Sequence, residues 1–103
     1  MTASPATRRR PPPRLPRGSR LVPAASVVAC ARSDGLLLLD MGAGRRITLD
    51  AFGRRVWLAL TDGPSLAELL VRLRDDDTPA ERLAEDVTRL LARWSAGALI
   101  IWR

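Results

Sequence analysis

The sequence predicts a small α+β domain of winged helix-turn-helix type, with a three-stranded antiparallel sheet followed by three helices and a short C-terminal strand. Three observations lead there. Short apolar runs separated by glycine turns fill residues 27–49. The hydrophobic period then lengthens from two to about 3.6 at Asp50. Beyond that point, caps and helix breakers fall where the new period begins and ends. No internal repeat interrupts this order.

Val27 to Arg32 is a short extended segment, and Ser33-Asp34-Gly35 carries the residue types that a tight reversal demands. Leu36-Leu37-Leu38-Leu39-Asp40 is too short for a helix and suits a strand covered on both faces. Gly42-Ala43-Gly44 supplies the second turn, and Arg45-Arg46-Ile47-Thr48-Leu49 the third strand. There Arg45, Ile47 and Leu49 share one face, with Arg46 and Thr48 on the other. The product is a three-stranded meander.

Asp50 is placed to cap the first helix, whose apolar stripe is Phe52, Val56, Trp57 and Leu60. Gly63 and Pro64 stop it. A capping box, Ser65 with Glu68, opens the second helix, which buries Leu66, Leu69, Leu70 and Leu73 and ends at Asp75-Asp76-Asp77. A second box, Thr78 with Glu81, and Pro79 at the first helical position open the third. Its stripe is Leu83, Val87, Leu90, Leu91 and Trp94. Gly97 ends it, and Leu99 to Trp102 reads as a closing strand. Trp57 and Trp94 belong to the core on this reading, and Cys30 is a small buried hydrophobe on the first strand.

Composition removes most function classes. The 103 residues hold 17 basic and 11 acidic side chains, one cysteine, and neither histidine nor tyrosine; every basic residue is arginine. Without histidine there is no side chain whose unperturbed pKa lies near neutrality and no imidazole metal ligand. One cysteine can form neither an internal disulfide nor a zinc cluster. No convergent pair of acids suggests carboxylate catalysis. A non-enzyme with no metal and no cofactor is therefore expected.

The formal net charge of +6 is unevenly placed. Residues 1–20 carry six arginines (Arg8, Arg9, Arg10, Arg14, Arg17, Arg20), no acid and five prolines. Residues 21–103 hold eleven of each sign and are formally neutral. The first twenty residues therefore read as a disordered, proline- and arginine-rich arm, and residues 21–103 as the domain. Val27-Val28-Ala29-Cys30 resembles a lipoprotein cleavage box. The apolar run before it is short, however, and carries Pro23 and Ser26. No stretch approaches the ~20 apolar residues that cross a bilayer, so a cytoplasmic protein with no membrane partner is expected.

A winged helix suggests DNA, but the residues that would dock argue against nucleic acid. Pro79 to Ser95 holds three arginines and three acids, and Ser65 to Asp77 two arginines and four acids. Phosphate contacts need net positive charge on the docking face. The alternative function class, a winged-helix nucleic-acid-binding or transcriptional accessory protein, would depend on the arm alone.

DGLLLLDMGAGRRITLDAFGRRVWLALTDGPSLAELLVRL, residues 34–73, resembles a family signature. It consists of strand, turn, strand ending in leucine and a cap, a helix with a Val/Ile-Trp pair, Asp-Gly, and a Thr/Ser-x-x-Glu-Leu helix. Asp86-Val87, Leu90-Leu91, Gly97, Leu99 and Ile100 are similar to the same family's third helix and closing segment. The family is that of pyrroloquinoline-quinone-synthesis D-like (PqqD-like) proteins, the RiPP recognition elements, which bind leader peptides of ribosomally made, modified peptides. Among its members, the chain looks most like the stand-alone B1 proteins of lasso-peptide pathways. The chain departs from the family at Phe52-Gly53 and in its long arginine arm.

The resemblance implies a peptide chaperone whose third strand lies at an open sheet edge, where a leader peptide joins as a further strand beside the third helix. Arg45, Arg46, Ile47, Thr48 and Leu49 would form the edge, and Leu83, Asp86, Val87 and Leu90 the opposite wall. On that reading the Ile47 amide faces the vacant edge. Arg45 or Arg46 would meet leader acids, and Asp86 a leader base or backbone amide. The implied partners are the precursor leader peptide, a transglutaminase-like leader peptidase and an ATP-dependent macrocyclase.

Overall fold

The computed structural model describes residues 19–103. Apart from Ser19 and Arg20, the arm expected over residues 1–20 lies outside the described residues. In chain order the elements are β1 (Leu21–Pro23), β2 (Val27–Ala31), β3 (Leu36–Asp40), β4 (Arg45–Leu49), α1 (Ala51–Leu60), α2 (Leu66–Leu73), α3 (Ala80–Ala96) and β5 (Ile100–Trp102).

Strands β2, β3 and β4 form the expected antiparallel meander, in that order. Leu38 pairs with Ala29 on one side and Ile47 on the other. Gly44 sits in the β3–β4 turn at φ +68°, a left-handed conformation that costs glycine nothing and an L-residue about 1–2 kcal/mol. Its N–H donates to the Asp40 carbonyl at 2.7 Å. β3 is not covered equally on its two faces. Leu36, Leu38 and Asp40 are buried, whereas Leu37 and Leu39 are half-buried. On that second face their cross-strand neighbours are Cys30 and Val28 on β2, and Thr48 and Arg46 on β4. Cys30 is half-buried rather than buried.

β1 has no counterpart in the sequence reading. It pairs antiparallel with β5, Val22 opposite Ile101. The ladder extends by one residue, because Arg20 and Arg103 exchange backbone hydrogen bonds of 2.6 and 2.7 Å. A three-residue strand containing Pro23 has too few positions to display a period, and its pairing partner is almost eighty residues away. Leu21 nevertheless sits fully buried.

The helices start largely where the caps indicate. Asp50 caps α1 by accepting the Gly53 N–H at 2.8 Å. In α2 the capping box is reciprocal: the Glu68 N–H donates to Ser65 Oγ at 3.2 Å, and the Ser65 N–H to Glu68 Oε1 at 2.9 Å. The box expected at Thr78 and Glu81 does not form. Pro79, extended at ψ 144°, is itself the N-cap of α3 and has no side chain to offer. The Thr78 N–H donates instead to Asp75 Oδ1 at 2.9 Å, so the acidic run closes a local turn rather than trailing from α2.

The core gathers Leu36, Leu38 and Leu49 from the sheet, Val56, Trp57 and Leu60 from α1, Leu69 and Leu73 from α2, and Leu83, Val87, Leu91 and Trp94 from α3. At its centre the Trp57 and Trp94 rings meet edge to face, centroids 5.4 Å apart at 77°. That geometry adds about 0.5–1.5 kcal/mol beyond simple burial.

At the end of α3 the left-handed residue is Ala98 (φ +59°), not Gly97, whose φ is −86°. Ala98 is exposed, so its methyl group gains nothing to offset the strain. Ala98→Gly is expected to stabilise the domain by about 0.5–1 kcal/mol, read as a higher urea midpoint at unchanged slope.

Candidate functional site

β4 is an edge strand: among the described residues nothing pairs with its outer side. The neighbouring ladder fixes which of its backbone groups are free. The Met41 N–H donates to the Ser26 carbonyl at 2.8 Å and the Arg32 N–H to the Gly35 carbonyl at 3.2 Å. These two pairs lie one step beyond either end of the β2–β3 register, and hydrogen-bonded pairs alternate in an antiparallel ladder. Leu37 and Leu39 therefore bond toward β2, and Leu36, Leu38 and Asp40 toward β4. Their partners Leu49, Ile47 and Arg45 are engaged. The N–H and C=O groups that face outward belong to Arg46 and Thr48. Ile47 is thus part of the ladder and does not present the free amide expected of it.

Beside this edge runs α3, and an open groove of about 540 Å³ lies between them. Six residues expected at the site line it: Arg45, Ile47, Thr48 and Leu49 from β4, and Asp86 and Leu90 from α3. Three others do not. Leu83 and Val87 are 4% and 0% exposed within the core, because they lie on the inward stripe of α3 and not on the flank turned to β4. The Arg46 side chain shares the opposite sheet face with Leu39, although its backbone faces the edge.

The residues of α3 and its C-cap that meet the groove are Asp86, Arg89, Leu90, Arg93 and Gly97, with Trp94 reaching it from the core stripe. This i, i+3, i+4, i+7, i+11 series is as regular as the apolar stripe beside it. Its polar residues hid it, since apolar periodicity finds the core face. Phe52 and Gly53 of α1 also line the groove.

The charges of Asp40, Arg45 and Asp86 have definite partners. Asp40, 6% exposed, accepts hydrogen bonds from Arg45 Nη2 at 2.8 Å, the Ala43 N–H at 3.2 Å and Ser26 Oγ at 3.3 Å. Arg45 Nη2 also donates to the Gly97 carbonyl at 2.5 Å, tying the start of β4 to the end of α3. Asp86 lies 3.5 Å from Arg89 and 3.9 Å from Arg82.

The Arg45 hydrogen bond, helped by the Ala43 amide, holds the Asp40 carboxyl below its ordinary value of 3.8. A carboxyl depressed in the folded state contributes stability above its unfolded pKa and loses it as pH falls through the folded one. The urea midpoint is therefore expected to fall as the pH drops below 3.8. Asp40→Asn should lower the midpoint at neutral pH and flatten that acid limb.

Among the described residues no cluster of three or more cysteine, aspartate or glutamate side chains is placed to hold a metal, and no helix is long and apolar enough to cross a membrane. The arrangement supplies a free strand edge, an apolar floor and a charged rim.

Curated proteins offer no significant match to the sequence. The fold is similar to a solved structure described as TbiB1 in complex with the TbiA(beta) leader peptide, with a TM-score of 0.71 and 22% identity, over 77% of this chain and 93% of that one. Residues 35–100 match the family described as Coenzyme PQQ synthesis protein D. That span runs from the turn before β3, through β4 and all three helices, to the first residue of β5, so this chain belongs to the PqqD family.

Proposed function

We propose that this chain is a non-catalytic peptide chaperone. It binds the leader of a ribosomally made precursor, a lasso-peptide precursor, by strand addition at β4. The observation that carries the reading is the outward-facing N–H and C=O groups of Arg46 and Thr48 beside a groove floored by Ile47, Leu49 and Leu90. An extended peptide satisfies those groups, at about 0.5–1.5 kcal/mol per bond, and its alternate side chains enter the groove. Membership of the PqqD family supports this, as does the likeness to a protein solved with a leader peptide. Association costs consume part of the gain, which leaves affinities in the micromolar range or tighter.

Holding the leader lets the chain deliver its cargo to a transglutaminase-like leader peptidase and an ATP-dependent macrocyclase in the cytoplasm. A bound substrate reaches its enzyme at raised effective concentration. Fluorescence polarisation with labelled lasso-precursor leaders tests the capture step. Saturable binding at about 10 μM or tighter is expected, and because backbone bonds and apolar contacts dominate, it should survive about 1 M salt. If no leader binds, or binding vanishes with salt, strand addition is the wrong account.

A further inference from the structure

The groove is not electrically neutral along its length. Arg45 is satisfied by Asp40 and the Gly97 carbonyl, and Arg89 lies 3.5 Å from Asp86. Arg93, exposed on the same flank one turn beyond Arg89, has no carboxylate within ion-pair distance among the described residues. Residues 1–18 contain no acid to serve it. Two guanidinium groups four residues apart on a helix repel one another. Here a helix that elsewhere pairs its arginines leaves one unpaired at the mouth of the groove.

From these positions we infer that Arg93, assisted by Arg89, selects an acidic side chain in the guest strand. The inference rests on the peptide-binding reading above and adds the chemical class that the groove accepts. The guest carboxylate sits at the Arg45 end, where the C-terminal part of α3 approaches the start of β4, and faces both guanidinium groups. Leu90, between the two arginines in sequence, floors the same stretch of groove, so the acid lies close to an apolar anchor of the guest. A guanidinium offers paired donors in a planar fork that matches a carboxylate, which makes the contact geometric as well as electrostatic.

Selection from a randomised twelve-residue peptide library on the immobilised full-length chain tests this, followed by polarisation measurements on synthetic copies of the enriched peptides. Peptides enriched on the wild type should carry Asp or Glu at one fixed distance from an apolar anchor. Replacing that acid by lysine should weaken binding about tenfold. Arg93→Glu should reverse the preference, so that the lysine peptide binds better than its acidic parent; Arg93→Lys should keep the sign with a weaker effect. Enrichment of apolar strands with no charge bias, or a bias that Arg93→Glu does not move, overturns the inference and leaves strand addition standing. If no peptide is enriched at all, the peptide-binding reading fails and takes the inference with it.

Discussion

Thr48→Pro is expected to weaken leader binding at least thirtyfold, about 2 kcal/mol, while leaving the fold intact. The Thr48 N–H faces the vacant side of β4, so its loss breaks no bond to β3. Proline is tolerated on an edge strand at such a position. The residue before it, Ile47, is already extended, as a pre-proline residue prefers. A guest strand meets two penalties: it loses a donor, and it confronts a pyrrolidine ring where its own carbonyl would sit. Ile47→Pro makes the opposite case. Its N–H bonds toward Leu38, so that change should lower the unfolding midpoint sharply and impair binding through loss of structure. Circular dichroism with urea titration separates the two variants, and polarisation with a leader peptide measures the affinity. A folded Thr48→Pro protein that binds as tightly as wild type would remove strand addition at β4 from consideration.

The contrast between neighbouring prolines shows what sequence conveys and what it withholds. The face of each β4 side chain follows from alternation alone, and Leu49 and Ile47 lie on the core side as the pattern requires. The direction of each amide does not follow, because it depends on which pairs of the β2–β3–β4 ladder exchange bonds, and that parity is set by the turns. α3 behaves similarly. Its apolar stripe locates the core face, yet Leu83 and Val87 are spent there, and the groove falls to the polar flank from Asp86 to Arg93. Local chemistry was the most legible part: Asp50 and Ser65 cap where such residues should. Thr78 failed because Pro79, extended and lacking a side-chain acceptor, moved the helix start by one residue. The β1–β5 pair was beyond reach of any local rule.

Gly35→Ala carries the largest expected loss of stability, about 3 kcal/mol or more. A Cβ built on Gly35 would lie 2.0 Å from the carbonyl oxygen of Leu49 and 3.1 Å from its carbon. Neither atom belongs to a flexible side chain able to swing away. Both are backbone, at the junction where β4 ends and Asp50 caps α1. Relief requires β3 and β4 to separate at the Leu36–Leu49 pair, or α1 to shift from its cap. Either movement disturbs Leu49, which is buried and also lines the groove, so leader affinity should fall with stability even though Gly35 does not line the groove. Gly42→Ala is the control: its nearest neighbour would be the Ser26 Cβ at 3.4 Å, in an exposed turn. That change should stay within about 0.5 kcal/mol of wild type. Urea unfolding of the two variants decides the matter, and a Gly35→Ala protein as stable as Gly42→Ala would mean that the β3–β4–α1 junction is looser than its packing indicates.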